Sequence, residues 1–154
     1  MTDRESRLLD TNILIRLSLP GDPRHFKIGA ALEKLERRNC ALFLTSRILG
    51  ELWNVCTRPI ERNGLGFSST VTNEIVQAIE DRFQLLPASD EVHIKWRSLP
   101  VKHEVKGVQV HDARLAATMY VHKILRILTN NTRDFKRYSG LETITPQEVI
   151  AGVV

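Results

Sequence analysis

The sequence predicts an α/β fold with a central, mostly parallel sheet of four to five strands flanked by helices. Short apolar runs typical of buried strands alternate along the chain with amphipathic segments of about 10–15 residues. Parallel strands need such crossover segments, because each strand must begin at the same end of the sheet. No repeat or long linker divides the 154 residues, so we expect one domain over residues 1–154.

The predicted strands are short and mostly apolar. RLLD, which ends at Asp10, is the first, and Ala41–Thr45 is the second. FQLLP is a third candidate, Ile124–Thr129 is a strongly apolar fourth, and LETIT is expected at an edge of the sheet. Because the carboxyl ends of parallel strands meet at one edge, a polar residue that follows any of them points to a ligand site there.

The predicted helices have apolar residues at helical spacing. They cover residues 24–38, 46–57, 69–83, 89–99 and 110–122, with a last turn in PQEVIAG. Ser46 and Ser89 are the expected N-caps of their helices, and Pro59 stops the helix that Ser46 begins. ERNGLGFSS and VKHEVKGVQ are expected to be irregular, whereas NNTRDF forms a turn that leads into a short helix.

The composition is that of an ordinary globular protein, with 42% hydrophobic and 26% charged residues. The polar N-terminus has no signal-peptide pattern, and no apolar run reaches the roughly 18 residues of a membrane span. Cys40 and Cys56 form no CxxC or zinc pattern, so we expect free, partly buried thiols. These features predict a cytoplasmic protein without membrane contact, and the net charge of +4 is compatible with a polyanionic partner.

Acidic and amide side chains recur where the predicted strands end or where a helix can face those ends. Asp10 follows the first strand, Glu51 lies one turn into the helix after the second, and Asp112 opens an alanine-rich helix. Asn131 and Asp134 lie in the turn after Ile124–Thr129. Carboxylates that converge repel one another unless cations or protons intervene. Magnesium accepts such oxygen ligands, and two ions about 4 Å apart can support phosphodiester hydrolysis.

Each acid also has a simpler explanation. Asp10 can cap a short helix in NILIRL, and Glu51 can be a solvated helix residue. Asp112 can interact with the dipole at its helix N-terminus. Asp134 can cap a turn or pair with Arg133 or Arg137. The combination of the acids is therefore more informative than any one of them.

Four segments carry a family resemblance, in the same order along the chain: LLDTNILI, SRILGELWNV, HDARLAATM and ILTNNTRDFKRYSGLETITP. With these segments the chain resembles PIN-domain ribonucleases, most closely the VapC-type toxins of bacterial toxin–antitoxin pairs. The resemblance spans nearly the whole sequence. It implies a PIN-like three-layer α/β/α fold and an acidic pocket that binds Mg²⁺ or Mn²⁺ and cleaves RNA.

The resemblance also implies the ligands. Asp10, Glu51 and Asp112 match the family's metal-binding acids, and these three together with Asp134 are the catalytic candidates. Many members have an aspartate where this chain has Asn131, which can ligate a metal through its amide oxygen but brings no charge. Asp134 can supply the missing carboxylate, directly or through water, so the number of bound ions stays open.

The resemblance assigns supporting roles as well. Asn12 and Thr129 match polar positions beside the acids, where they would orient the carboxylates. Arg114, Arg133 and Lys106 can hold RNA phosphates, or be solvated surface charges. The implied protein partners are a second copy of the chain and a small antitoxin that covers the pocket.

Three other functions compete with a toxin ribonuclease. A PIN-fold module that grips RNA or protein without cutting is favoured by Asn131. A phosphatase with an aspartyl nucleophile needs a second aspartate two residues after the first, where this chain has Asn12. A PIN nuclease of RNA maturation would share the site but not the toxicity.

Overall fold

The computed structural model describes residues 4–153 and contains one five-stranded sheet in which every neighbouring pair is parallel. Its strands are β1 (Ser6–Leu9), β2 (Ala41–Thr45), β3 (Gln84–Leu86), β4 (Arg126–Leu128) and β5 (Glu142–Ile144). They lie in the order β3-β2-β1-β4-β5. The predicted fold class is therefore confirmed, with all five candidate strands in the sheet.

Seven α-helices of the described chain flank this sheet and complete three layers. They are α1 (Thr11–Leu17), α2 (His25–Arg37), α3 (Ser46–Thr57), α4 (Ser69–Arg82), α5 (Asp90–Lys102), α6 (Gln109–His122) and α7 (Pro146–Ala151). Helix α1 packs on both α2 and α3, α3 packs on α4, α7 packs on α2, and α5 packs on α6. Right-handed crossovers place α5 and α6 on the opposite face from α1 to α4, because the chain reverses its direction across the sheet after β3.

The reversal of strand order lies between β1 and β4. The chain runs outward from β1 through β2 to β3 and then crosses to β4, on the other side of β1. Ligand crevices of open α/β sheets form at such a point, because the connections from the two strands diverge there. Leu9 pairs with Leu128, and the amide of Asp10 donates to the carbonyl of Leu128 at 3.1 Å. This register sets Asp10 beside Thr129 at the mouth of the crevice.

Strand β1 and helix α1 together fix the position of Asp10. Leu8 and Leu9 are completely buried, as are Ile13 and Leu14 on the inner side of α1. Asp10 has extended backbone angles and is the N-cap of α1, so the strand turns into the helix without a loop. The simple explanation of Asp10 as a cap is thus correct, and it is compatible with a functional role.

One predicted cap is wrong. Ser46 is the first residue of α3, and the cap is Thr45, whose side-chain oxygen accepts from the amide of Ile48 at 3.2 Å. Thr45 is the last residue of β2 and has the extended backbone that an N-cap requires. When a strand runs directly into a helix without a loop, the last residue of the strand is the N-cap of the helix.

Two other segments differ from the prediction. Helix α5 continues through Pro100 to Lys102, and the amide of His103 still donates to the carbonyl of Leu99 at 2.9 Å. The segment after β4 forms turns instead of the expected short helix. Its backbone bonds, such as Tyr138 to Phe135, join residues three apart, so no helical ladder develops.

Two expectations from composition can be compared with the structure. Both cysteines, Cys40 and Cys56, are free and buried. Across residues 4–153, none of the helices is both long enough and apolar enough to cross a membrane.

The N-cap of α3 gives a stability prediction. Thr45→Val keeps the volume of a buried side chain but removes the hydroxyl that caps α3, so it should lower the free energy of unfolding by about 1 kcal/mol. Ser46→Ala is the matched control and should change it by less than about 0.5 kcal/mol. Urea denaturation of both variants measures the difference, and a larger loss in Ser46→Ala would contradict the assignment.

Candidate functional site

The site is built around the carboxylate of Asp10. Its Oδ1 accepts from the amide of Thr11 at 2.8 Å, and its Oδ2 accepts from the hydroxyl of Thr129 at 2.7 Å. The side-chain amide of Asn12 also donates to Oδ2, at 3.2 Å. Three donors from three residues therefore hold both oxygens in one orientation, which offsets part of the cost of burying the charge.

Asn12 and Thr129, which were predicted to orient the acids, join the two halves of the chain at this point. The buried hydroxyl of Thr129 donates to Asp10 and accepts from the side chain of Asn12 and the backbone of Asn131, both at 3.0 Å. Its one donor and two acceptor positions are thus all used. Asn12 Oδ1 accepts from the amide of Asn130 at 3.1 Å. The turn after β4 is therefore fastened to the start of α1.

Thr11 was not predicted as a site residue, yet it links two of the acids. Its amide donates to Asp10, and its hydroxyl donates to Glu51 Oε2 at 2.7 Å. The other oxygen of Glu51 lies 3.3 Å from Nε of Arg47, one turn earlier on α3. Thr11 is the first residue of α1, where sequence alone suggests only a helix start. The informative signal is a hydroxyl next to Asp10 on a helix that packs against α3.

Asp112 approaches from helix α6. Its pKa rises to about 6, mainly because of burial and further because of the charges of Asp134, Asp10 and Glu51. Arg137 acts in the opposite direction. The structure therefore brings all four predicted catalytic acids within electrostatic reach of one another, from β1, α3, α6 and the turn after β4.

Asp10 shows the same effect. Burial raises the pKa of Asp10 above its ordinary value, and the hydrogen bonds from Thr129 and Thr11 lower it. The neighbouring charges of Glu51 and Asp134 raise it further. Two of the four acids are thus destabilised as anions by the other members of the group.

Asn131 and Asp134 lie together in the turn after β4. Asn131 Nδ2 donates to Asp134 Oδ2 at 2.5 Å, and its Oδ1 accepts from the amide of Arg133 at 3.3 Å. Among the described residues, Asn131 is therefore the side chain that binds Asp134, in place of the arginine pairing considered from sequence. Asp134 is half-buried, whereas Asn131 is exposed.

The deciding comparison is with protein families. The model of the PIN domain matches residues 7–141 of this chain. The chain belongs to the PIN domain family. The match covers β1 to the start of the last predicted strand, and so includes every residue of the acidic site.

Solved structures share this PIN fold. VapBC2 from Rickettsia felis, bound to a DNA fragment from its promoter, has a TM-score of 0.69 at 18% identity, over 91% of this chain and 98% of that one. DNA-bound VapBC from Salmonella typhimurium has a TM-score of 0.67 at 19% identity, over 94% of this chain and 99% of that one. VapC20 from Mycobacterium tuberculosis, a sarcin–ricin loop cleaving toxin, has a TM-score of 0.58 at 17% identity, over 82% of this chain and 91% of that one. No curated protein matches the sequence.

In the part of the chain that the structure describes, the side chains of the predicted phosphate ligands form no hydrogen bond or ion pair with the four acids. The guanidinium of Arg114 lies over the ring of Trp96, 4.6 Å from its centroid. Arg133 and Lys106 are exposed. Among the described residues, the arginine that forms an ion pair with one of the four acids of the site is instead Arg47, which sequence analysis did not single out.

The donor set of the PIN site fits a hard divalent cation. Four carboxylates and the amide oxygen of Asn131 are the ligands that Mg²⁺ and Mn²⁺ prefer. Burial, and in addition the charges of the neighbouring acids, raise the pKa values of Asp10 and Asp112, and a bound cation would offset both effects. Between residues 4 and 153, no three His, Cys, Asp or Glu side chains are already placed to hold a metal ion. Binding therefore requires the side chains to converge further.

The raised pKa of Asp112 predicts how stability depends on pH. Since its pKa is about 6 in the folded protein and 3.8 in the unfolded chain, the folded state binds the proton more tightly. The free energy of unfolding must then decrease as the pH rises from about 4 to about 6. Asp112→Asn should stabilise metal-free protein by about 1–2 kcal/mol at pH 7, allowing for partial exposure, and by little at pH 4.

Chemical denaturation in the presence of a chelator measures this effect. Glu74→Gln, at an exposed position of α4, is the control and should keep the pH dependence of wild type, because it retains Asp112. An Asp112→Asn variant that is no more stable than wild type at pH 7 would refute the raised pKa of Asp112 in the folded protein.

Proposed function

We propose that this PIN domain is a metal-dependent endoribonuclease that hydrolyses RNA phosphodiester bonds. The observation that carries the proposal is the raised pKa of Asp112, caused by burial and by three other carboxylates at the crevice between β1 and β4. Like charges are seldom gathered in this way without a cation to bind. Membership of the PIN family and the net charge of +4 support RNA as the substrate.

The residues take distinct roles in this proposal. Asp10, Glu51 and Asp112 hold the ion with help from Asn131, and Asp134 completes the site directly or through water. When bound there, Mg²⁺ or Mn²⁺ would supply positive charge beside the phosphate and a more acidic water molecule. Asn12 and Thr129 keep the carboxylate of Asp10 fixed, and Thr11 does the same for Glu51.

Arg47 forms an ion pair with one of the four acids. Its Nε lies 3.3 Å from Glu51 Oε1, so it neutralises part of the negative charge before a cation is bound. The pair is half-exposed and therefore weak, so a divalent ion can replace it at little cost.

We further propose that the chain is the toxin of a VapBC-type pair. VapC20, which shares the fold, is described as a toxin that cleaves the sarcin–ricin loop, and other structures that share the fold are VapBC complexes. The expected partners are a second copy of the chain and an antitoxin with a segment that covers the acidic crevice. Both RNA and antitoxin would be met in the cytoplasm.

A second candidate function is a PIN-fold module that binds RNA or protein without cleavage. Asn131 favours this candidate, because an amide stands where many PIN ribonucleases have an acid. The engagement of Glu51 by Arg47 favours it too.

Cleavage by purified protein separates the two candidates. With Mg²⁺ or Mn²⁺, wild-type protein should cut a mixed RNA substrate, and a chelator should abolish the reaction. Asp10→Asn and Asp112→Asn should each lower the rate about 100-fold, because a negatively charged ion ligand is replaced by a neutral amide. Glu80→Gln, at an exposed position of α4, is the control and should be as active as wild type. Equal cleavage by Asp112→Asn and wild type would exclude this mechanism.

The toxin role has its own test. Induced expression without the neighbouring gene should arrest growth for wild-type protein and not for Asp10→Ala. Sequencing of the RNA ends produced in both cultures identifies the RNA that is cut. Specific new ends without growth arrest would instead indicate a PIN nuclease of RNA maturation.

A further inference from the structure

Two cavities flank the acidic crevice along the carboxyl edge of the sheet. One, of about 200 Å³, lies at the ends of β2 and β3, where Thr45 and Leu86 are register partners that both line it. The other, of about 300 Å³, lies beyond β4 and β5 and is lined by Asn130 and Thr145. The first cavity is lined partly by α6 and the second partly by α2, so the two lie on opposite faces of the sheet, on either side of the acidic site.

The β2–β3 cavity is directly connected to the acidic site. Arg47 lines it and lies 3.3 Å from Glu51, one of the four acids. Adjacent strands are about 5 Å apart, so the cavity is about 10 Å from the crevice between β1 and β4. An RNA strand with its reacting phosphate at the acids would therefore bring a neighbouring nucleotide to this cavity.

The walls of the β2–β3 cavity are apolar and its charged groups are donors. Leu86, Pro87 and Val92 form much of the lining, together with the guanidinium groups of Arg47 and Arg114. Arg114 is held over Trp96, which fixes the plane of its guanidinium. Nε of Arg47 is buried and lies 3.3 Å from Glu51 Oε1, so this arginine is tied to the acidic site, and Arg114 is the cavity's other source of donors. An occupant must therefore have apolar faces and acceptors along an edge.

A nucleobase has this combination of properties, and a phosphate does not. Bases taken out of the stack in single-stranded RNA are bound by their faces and by hydrogen bonds to their edges. Guanine presents O6 and N7 as adjacent acceptors, which is the pattern that an arginine fork binds best. The cavity on the other flank is lined by Arg24 and Lys27 and is more polar, so it is better suited to the backbone.

We propose that the cavity at the ends of β2 and β3 is a nucleobase pocket that binds an unstacked guanine next to the bond to be cut. This pocket would select the position of cleavage. Arg114, which sequence analysis predicted to hold an RNA phosphate, would instead contact a base. The proposal rests on the proposed RNA substrate, but it concerns binding and not cleavage. The two can therefore fail separately.

Binding in the presence of a chelator tests the pocket without any cleavage. Fluorescence anisotropy is used to compare short labelled oligouridylates that carry one central guanosine, adenosine or abasic residue. Wild-type protein should bind the guanosine oligonucleotide about tenfold more tightly than the abasic one. Ala88→Trp places a bulky ring in the pocket from its exposed rim and should reduce this ratio to below about twofold.

Two further variants make the result specific. Ala30→Trp adds the same ring at an exposed position of α2 and should keep the guanosine preference. Arg114→Gln should shift the preference from guanosine toward adenosine, because a glutamine amide matches the adenine edge. This variant also keeps the test decisive if Ala88→Trp does not fold.

Equal binding of guanosine and abasic oligonucleotides by wild-type protein would overturn the proposal and leave the cavity to another occupant, such as a protein side chain. An unchanged preference in Ala88→Trp and Arg114→Gln would overturn it as well. Guanosine-dependent binding without any metal-dependent cleavage would support the pocket and count against the proposed nuclease. Cleavage without base preference would do the reverse.

Discussion

The buried carboxylate of Asp10 is the constraint on which the architecture of the site depends. It lies where β1 ends, beside Thr129 at the end of β4, and donors from Thr11, Asn12 and Thr129 bind both of its oxygens. These bonds would be impossible if β4 did not lie next to β1, although the two strands are more than a hundred residues apart in the sequence. The reversal of strand order thus creates the crevice and also supplies the groups that make a charge tolerable inside it.

The remaining acids are held close to Asp10 by rigid packing. Ala113, Ala116 and Ala117 of α6 are completely buried, so small side chains let this helix approach the sheet closely and carry Asp112 to its edge. Thr11 holds Glu51 from the other face. The repulsion between these acids lowers the stability of the fold, and packing of the core offsets it. Such a loss of stability is common at functional sites.

The order of strands and helices follows from apolar periodicity, and the four acids follow from the rule that strand ends meet at one edge. What sequence alone does not give is contact between distant elements. Thr11 binds Glu51, forty residues away, and no local pattern marks that bond. The cap of α3 was assigned to Ser46 because sequence does not show that β2 continues to the helix without a loop. The helix predicted over residues 89–99 continues through Pro100 to Lys102, where packing on α6 outweighs a local preference. The site assignments themselves, including the choice between Asn131 and Asp134, stay predictions.

The sharpest test is a calorimetric titration of chelator-stripped protein with Mn²⁺, carried out on wild type, Asp10→Asn and the exposed-site control Glu80→Gln. Wild type and the control should bind the ion with the same affinity, and Asp10→Asn should bind it at least about tenfold more weakly. Equal affinity in Asp10→Asn, or no binding by wild-type protein, would contradict a cation site at the crevice between β1 and β4.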